Sequence, residues 1–150
     1  MAKINEFIKL AQNMEIRGGE FYQKAAELSR VSAVREMFLT LVEEEKEHAR
    51  TFASLLESNW DLNVQEESAK YLEGIYNFPF RGEEELKKIP EYKTEKEALE
   101  LAAQAEKDAI LFYQELYNLA GDEKLKDAIG KILEEEKMHL VAIRGRIYEL

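Results

Sequence analysis

One internal repeat constrains this chain more than any other feature. Glu15, Tyr22, Glu45 and His48 recur as Glu106, Tyr113, Glu136 and His139, at a constant offset of 91 residues. The surrounding words match too. Phe21-Tyr22-Gln23 answers to Phe112-Tyr113-Gln114, and Glu43-Glu44-Glu45-Lys46-x-His48 answers to Glu134-Glu135-Glu136-Lys137-x-His139. His48 and His139 are the only two histidines, and each stands three residues after a glutamate. Polar residues held in register while their apolar neighbours drift imply a two-fold site. Four glutamates with two histidines form a natural cage for two metal ions.

Apolar residues recur at helical spacing in four stretches, which predicts helices over about 3–29, 33–58, 95–120 and 122–149. Capping chemistry marks their ends. Thr94 followed by Glu97 reads as a capping box, Gly121-Asp122 as a C-terminal glycine followed by an N-cap, and Ser32 as an N-cap. The connections near Ser29–Ala33 and Gly121–Lys124 are short, so each pair of helices is antiparallel. The segment 59–94 differs in character. It holds Gly74, Pro79, Gly82, Pro90 and the cluster Tyr76-Asn77-Phe78-Pro79-Phe80, with short helical fragments near 66–73 and 83–88. A connection of that length suits a crossover along a bundle. The expected architecture is one all-α domain over 1–150: a four-helix bundle with a long crossover between helices two and three, the ferritin-like topology.

Each of the six repeated acids and histidines falls on the apolar stripe of its helix. Glu15 lies between Ala11 and Gly18, and Glu45 and His48 between Leu41 and Phe52. Glu106 lies between Ala102 and Ala109, and Glu136 and His139 between Ile132 and Ile143. Carboxylates in an apolar core cost several kcal/mol each unless they are paired or bind metal. The heights agree as well. About 14 residues separate Glu15 from the end of its helix, a climb of ~21 Å, and about 11 residues of the next helix descend ~17 Å to Glu45. Within Glu-x-x-His the spacing sets carboxylate and imidazole on one helical face. The glutamate can then lie between two metals while the histidine takes one. Oxygen-rich ligation with one nitrogen per metal suits iron, with manganese as the alternative, better than structural zinc.

A single Glu-x-x-His in a glutamate-rich helix arises readily by accident. Two in-register copies, each with an inward glutamate on the preceding helix, do not. Glu43, Glu44, Glu134 and Glu135 lie off the stripe and read as a solvated face. Tyr22 and Tyr113 are the candidate catalytic residues; they read equally as core packing or as phenols hydrogen-bonded to a metal ligand. Gly18 and Gly19 weaken the first helix, and Gly18, matching Ala109, either leaves room for an oxidant or permits close helix packing. Met14 and Met138 read as packing, and Trp60 carries no functional signal.

Composition narrows the partners. A formal net charge of −10 leaves no basic patch for nucleic acid. The absence of cysteine excludes thiolate chemistry and Cys-x-x-Cys iron sites. Without a long apolar run or a secretory pattern at the N-terminus, the expectation is a cytoplasmic protein with no membrane partner.

The pattern Glu…Glu-x-x-His…Glu…Glu-x-x-His over 3–57 and 95–150 resembles the rubrerythrin-like branch of the ferritin-like diiron carboxylate proteins. The helix-one run from Met14-Glu15 through Glu20-Phe21-Tyr22-Gln23-Lys24-Ala25-Ala26 is particularly similar. The resemblance implies that Glu45 and Glu136 bridge two metals, that Glu15 and Glu106 are terminal ligands, and that His48 and His139 each approach one. It implies a non-haem diiron oxidoreductase that reduces peroxide or dioxygen with electrons from an external donor such as a rubredoxin-like protein, acting in oxidative-stress defence as a homodimer. Two departures stand out. The cysteine-bound iron domain of full-length rubrerythrins is missing, and the extra glutamate three residues past the helix-three ligand is replaced by Ala109. The alternatives are an iron-binding ferroxidase or storage protein, and a diiron hydroxylase with a pocket lined by Tyr76–Phe80.

Overall fold

The computed structural model describes residues 1–76 and 94–150. Five helices are present among them: α1 (Ile4–Leu28), α2 (Ser32–Glu57), α3 (Glu66–Tyr76), α4 (Glu95–Leu119) and α5 (Glu123–Glu149). α1 pairs along its length with α2, and α4 with α5; α1 also meets α4, α2 meets α5, and α3 packs on α4. This is the expected bundle with a long crossover, in which α3 is a short additional helix. The fragment expected near 66–73 is α3, whereas Phe78, Pro79, Phe80, Gly82, Pro90 and the fragment near 83–88 lie outside the described residues.

Among the described residues the core has two apolar clusters. One gathers Ile4, Ile8, Met14, Phe52, Leu72, Phe112, Leu125 and Ile132; the other gathers Phe21, Val34, Phe38, Leu41, Leu99, Ala102, Ile143 and Ile147. In all four long helices the repeated polar residues fall between the stretches that feed these two clusters. Burial of each large apolar side chain stabilises the fold by roughly 1.5–3 kcal/mol. Two such clusters therefore hold the polar layer between them at fixed height.

The start of the bundle is tied to the crossover. Ile4 N donates to Leu62 O at 2.9 Å and Val64 N donates to Ala2 O at 2.8 Å, around an isolated antiparallel bridge between Lys3 and Asn63. Asn59 ends α2 in the left-handed region with φ 49°, a conformation asparagine tolerates better than most residues. Its Oδ1 accepts from Asn5 Nδ2 at 2.6 Å, and Trp60 Nε1 donates to Leu55 O at 2.9 Å, which gives Trp60 a structural role.

Capping follows the sequence at two helices and departs from it elsewhere. Thr94 accepts from Glu97 N at 3.2 Å, and Asp122 accepts from Lys124 N at 2.8 Å and Leu125 N at 3.2 Å. Ser32, expected to cap α2, is instead its first helical residue, and Val31 takes the cap position without a side-chain hydrogen bond. The α1–α2 loop is held from outside. Glu95 Oε1 accepts from Val31 N at 2.7 Å, from Ser29 Oγ at 3.1 Å and from Arg30 N. α4 closes on Ala120 in an extended conformation rather than on a left-handed glycine at Gly121.

Candidate metal centre

All six repeated acids and histidines are buried, none more than 5% exposed. They form two overlapping groups. Glu15, Glu45, His48 and Glu136 each offer a ligand atom within 4.8 Å of the others, and so do Glu45, Glu106, Glu136 and His139. Glu45 and Glu136 belong to both. Each group thus holds one glutamate from α1 or α4, one histidine from α2 or α5, and the shared pair.

The histidines point Nδ1 inward. His48 Nδ1 lies 2.9 Å from Glu136 Oε1 and 3.5 Å from Glu15 Oε1. His139 Nδ1 lies 3.3 Å from Glu136 Oε1, 3.4 Å from Glu45 Oε1 and 3.7 Å from Glu106 Oε1. The two rings face each other at 5.7 Å between centroids and 18° between planes. Their Nε2 atoms point outward to Glu135 Oε2 at 2.8 Å and Glu44 Oε2 at 2.5 Å. Glu44 and Glu135 were expected on the solvated face, and the structure corrects that reading. Their side chains are 44% and 41% exposed, yet each reaches back to a histidine. They too are related by the repeat, but so are the solvent-facing Glu43 and Glu134, so the offset alone does not single them out.

Tyr22 and Tyr113 sit beside the cluster. The Tyr113 hydroxyl donates to Glu15 Oε1 at 2.7 Å, and the Tyr22 hydroxyl donates to Glu106 Oε1. Both reach across the bundle, so each half's tyrosine serves the other half's glutamate. Met14 is buried in the cluster of Ile4, Phe52 and Phe112, but Met138, expected to pack, is 64% exposed because it lies on the outer face of α5.

The electrostatics are those of crowded carboxylates. Burial, then repulsion from Glu136 and Glu15, pushes the Glu45 carboxyl well above its usual range. Burial and Glu136 push Glu106 up to about 8. Glu136 goes the other way: burial and Glu15 oppose ionisation, but the close approach of the His139 and His48 rings prevails and lowers its pKa. Burial disfavours charged His48 and His139, yet their carboxylate neighbours outweigh it and raise them to about 11 and about 10. Burial and the nearby carboxylates raise both tyrosines well above 10.0, which keeps the phenols protonated donors.

This donor set fits two metal ions. Glu15 Oε2, Glu45 Oε1, His48 Nδ1, Glu106 Oε2, Glu136 Oε1 and His139 Nδ1 are all buried without a hydrogen-bond partner. Each of the six residues therefore carries one unsatisfied buried atom within the two overlapping groups, where a buried polar atom is expensive to leave alone. Four carboxylates neutralise two divalent cations with both histidines neutral. Uptake would displace protons from the histidines and from Glu106.

Beside the cluster lies a cavity of about 40 Å³, whose lining includes Glu15, Glu45, Glu106 and Glu136 together with Gly18, Phe21, Ala105, Ala109, Tyr22, Tyr113, Met14, Arg17 and Tyr76. The Arg17 guanidinium lies over the Tyr76 ring, 5.7 Å from its centroid. A Cβ on Gly18 would sit 3.1 Å from Glu45 Oε2, so this glycine makes room for the carboxylate. Gly19 is under no such pressure, its nearest contact being Glu45 Cβ at 3.8 Å. Glu20 and Glu27 are exposed along a surface groove between α1 and α2 that Glu15 also lines.

An all-helical bundle whose buried carboxylates and histidines converge in two overlapping ligand groups defines a ferritin-like di-metal carboxylate protein. The rubrerythrin family pattern matches residues 6–145, and the chain belongs to that family. Among solved structures, a protein from Thermotoga maritima described as a ferritin-like diiron-carboxylate protein shares the fold with a TM-score of 0.75 and 22% identity, covering 99% of this chain and 96% of its own. A hypothetical protein from Pyrococcus furiosus shares it with a TM-score of 0.69 and 19% identity, covering 96% of this chain and 87% of its own. No curated protein matches the chain. None of the helices among the described residues is long and apolar enough to cross a membrane.

Proposed function

We propose that this protein is a non-haem diiron oxidoreductase that reduces peroxide or dioxygen with electrons from an external donor. The observation that carries the reading is the sharing of Glu45 and Glu136 between two ligand groups that each hold one further glutamate and one histidine. Two bound iron ions would supply the two electrons that, with two protons, convert one peroxide to two waters. Glu45 and Glu136 would lie between the metals, Glu15 and Glu106 would be terminal ligands, and His48 and His139 would each take one through Nδ1.

The chain's own residues account for the rest. Tyr113 and Tyr22 hold Glu15 and Glu106 in one rotamer through their hydroxyl protons. Phe21, Met14, Ala105 and Ala109 give the cavity apolar walls, which limit water beside the cluster. Its volume of about 40 Å³ suits a few water-sized atoms, whereas pockets for organic ligands run to roughly 300–1,000 Å³. The enclosed cavity beside the cluster thus supports a small oxidant. No cysteine in these residues can hold a second iron site, and a separate donor of the rubredoxin-like type is the proposed source of electrons. A cytoplasmic homodimer in oxidative-stress defence completes the proposal, with manganese the alternative metal.

The test is to load the protein with ferrous iron, mix it anaerobically with peroxide, and follow oxidation by absorbance. One peroxide should oxidise both ferrous ions of a chain within the mixing experiment. Absence of oxidation by peroxide and by dioxygen would overturn the oxidoreductase assignment. Sedimentation separates the storage alternative, since a large closed shell would favour it over the enzyme.

A further inference from the structure

Four consecutive-register acids flank the ligand glutamates, and they do two different things. Glu43 and Glu134 pair with exposed lysines one turn along their own helices, Lys46 at 3.6 Å and Lys137 at 3.0 Å. Such pairs are worth little. Glu44 and Glu135 instead cross the bundle. Glu44 on α2 reaches His139 on α5, and Glu135 on α5 reaches His48 on α2. The contact falls in each case on Nε2, the nitrogen turned away from the buried cluster.

We propose that Glu44 and Glu135 are positioning residues that fix His139 and His48, crosswise, as Nδ1 ligands. The proposal rests on the di-metal reading. An ionised carboxylate only accepts hydrogen bonds, so Nε2 of each neutral ring must carry the proton and Nδ1 must present its lone pair inward. Outer carboxylates of this kind orient the ring and raise its basicity as a ligand. Side chains that are partly exposed also leave each histidine linked by one hydrogen bond to the surface.

The crossed arrangement makes a specific demand. Glu44 is a neighbour in sequence of Glu45 and His48, but the histidine it holds belongs to the group of Glu106 and His139. Its removal should therefore weaken the metal position at His139 and leave the one at His48 largely intact. Glu135 should do the reverse. A merely local effect on helix packing would disturb the near histidine instead.

The experiment titrates the full chain with cobalt(II), whose absorption reports each equivalent bound, and records imidazole ¹H–¹⁵N spectra of the zinc-loaded protein. In wild type, two equivalents should bind and both rings should show the Nε2–H form. Glu44→Ala should weaken one equivalent by roughly 10–100-fold and alter the His139 signals alone; Glu135→Ala should do so for His48. Glu44→Gln and Glu135→Gln keep an acceptor oxygen and should recover most of the affinity, with melting of the metal-free variants reporting that the fold is retained. Wild type that binds fewer than two ions would overturn the di-metal reading itself. Wild type that binds two, with alanine variants unchanged or with the wrong histidine perturbed, would overturn the positioning role alone.

Discussion

Tyr113 on α4 donates its hydroxyl hydrogen bond to Glu15 on α1, 98 residues away and across the bundle, at 2.7 Å. Its repeat partner Tyr22 does the same for Glu106. The two bonds are related by the approximate two-fold of the repeat, and each locks a glutamate that one ligand group does not share with the other. The tyrosines are thus more than packing, although Tyr22 also stacks on Phe38 at 5.8 Å.

Tyr113→Phe should therefore destabilise the metal-free protein by about 1–3 kcal/mol, because it leaves Glu15 Oε1 buried without its donor. Tyr22→Phe should behave alike through Glu106. Denaturant titration of the two variants measures this. A change below about 0.5 kcal/mol in both would mean that the phenol bonds do not hold the glutamates.

The metal-free protein should lose stability as the pH rises from about 5 to 9. Glu106 is raised to about 8, and Glu45 is raised as well, by burial first and then by carboxylate repulsion. A raised group contributes stability that is complete below its unfolded pKa and disappears as pH passes its folded value. His139 and His48, raised to about 10 and about 11, act in the same direction at higher pH. Glu136 is lowered, so its contribution is lost only on acidification. Metal competes with these protons, so the melting-temperature gap between loaded and metal-free protein should widen over the same range. A gap that stays constant or narrows would contradict a cluster of buried carboxyls held partly protonated.

Gly18→Ala should separate folding from binding. Alanine favours an α-helix by up to ~1 kcal/mol over glycine, so the metal-free protein should be at least as stable as wild type. The new Cβ, 3.1 Å from Glu45 Oε2, must push that carboxylate by a few tenths of an ångström. Metal affinity should fall. Gly19→Ala, with only an ordinary contact at 3.8 Å, is the control and should keep wild-type affinity.

Much of this centre is legible in the chain because the six inward residues sit on apolar stripes and repeat at a fixed offset. Helix lengths then bring Glu15 and Glu45 back to one level without any tertiary information. The parts that are not legible depend on contacts between distant segments. Glu44 and Glu135 lie at the edge of the helical wheel, and only the approach of α2 to α5 decides that they meet histidines while Glu43 and Glu134 meet lysines. Ser32 has the right chemistry for a cap, but Glu95, 64 residues from Val31, satisfies the loop amides first. Asn59 ends α2 in a left-handed turn that also depends on Asn5, 54 residues earlier.

Oxidant preference should be modest. Ala109 lines the cavity where the resembled rubrerythrins carry an additional glutamate, and the acids lining it are Glu15, Glu45, Glu106 and Glu136. Without a fifth carboxylate to exchange, the pair should change its ligands little between oxidation states. Reduced protein mixed with peroxide or dioxygen at equal concentration should show rates within about a hundred-fold of each other. Ala109→Glu should raise the peroxide preference. A preference of many hundred-fold in wild type would contradict the expectation.

The most direct measurement is the number of ferrous ions bound. Anaerobic titration of the metal-free protein with ferrous iron should end at two tight equivalents per chain, and Glu45→Ala/Glu136→Ala should bind neither tightly, because both ligand groups include these glutamates. An endpoint at one equivalent, or unchanged uptake by the double variant, would contradict a shared two-metal centre.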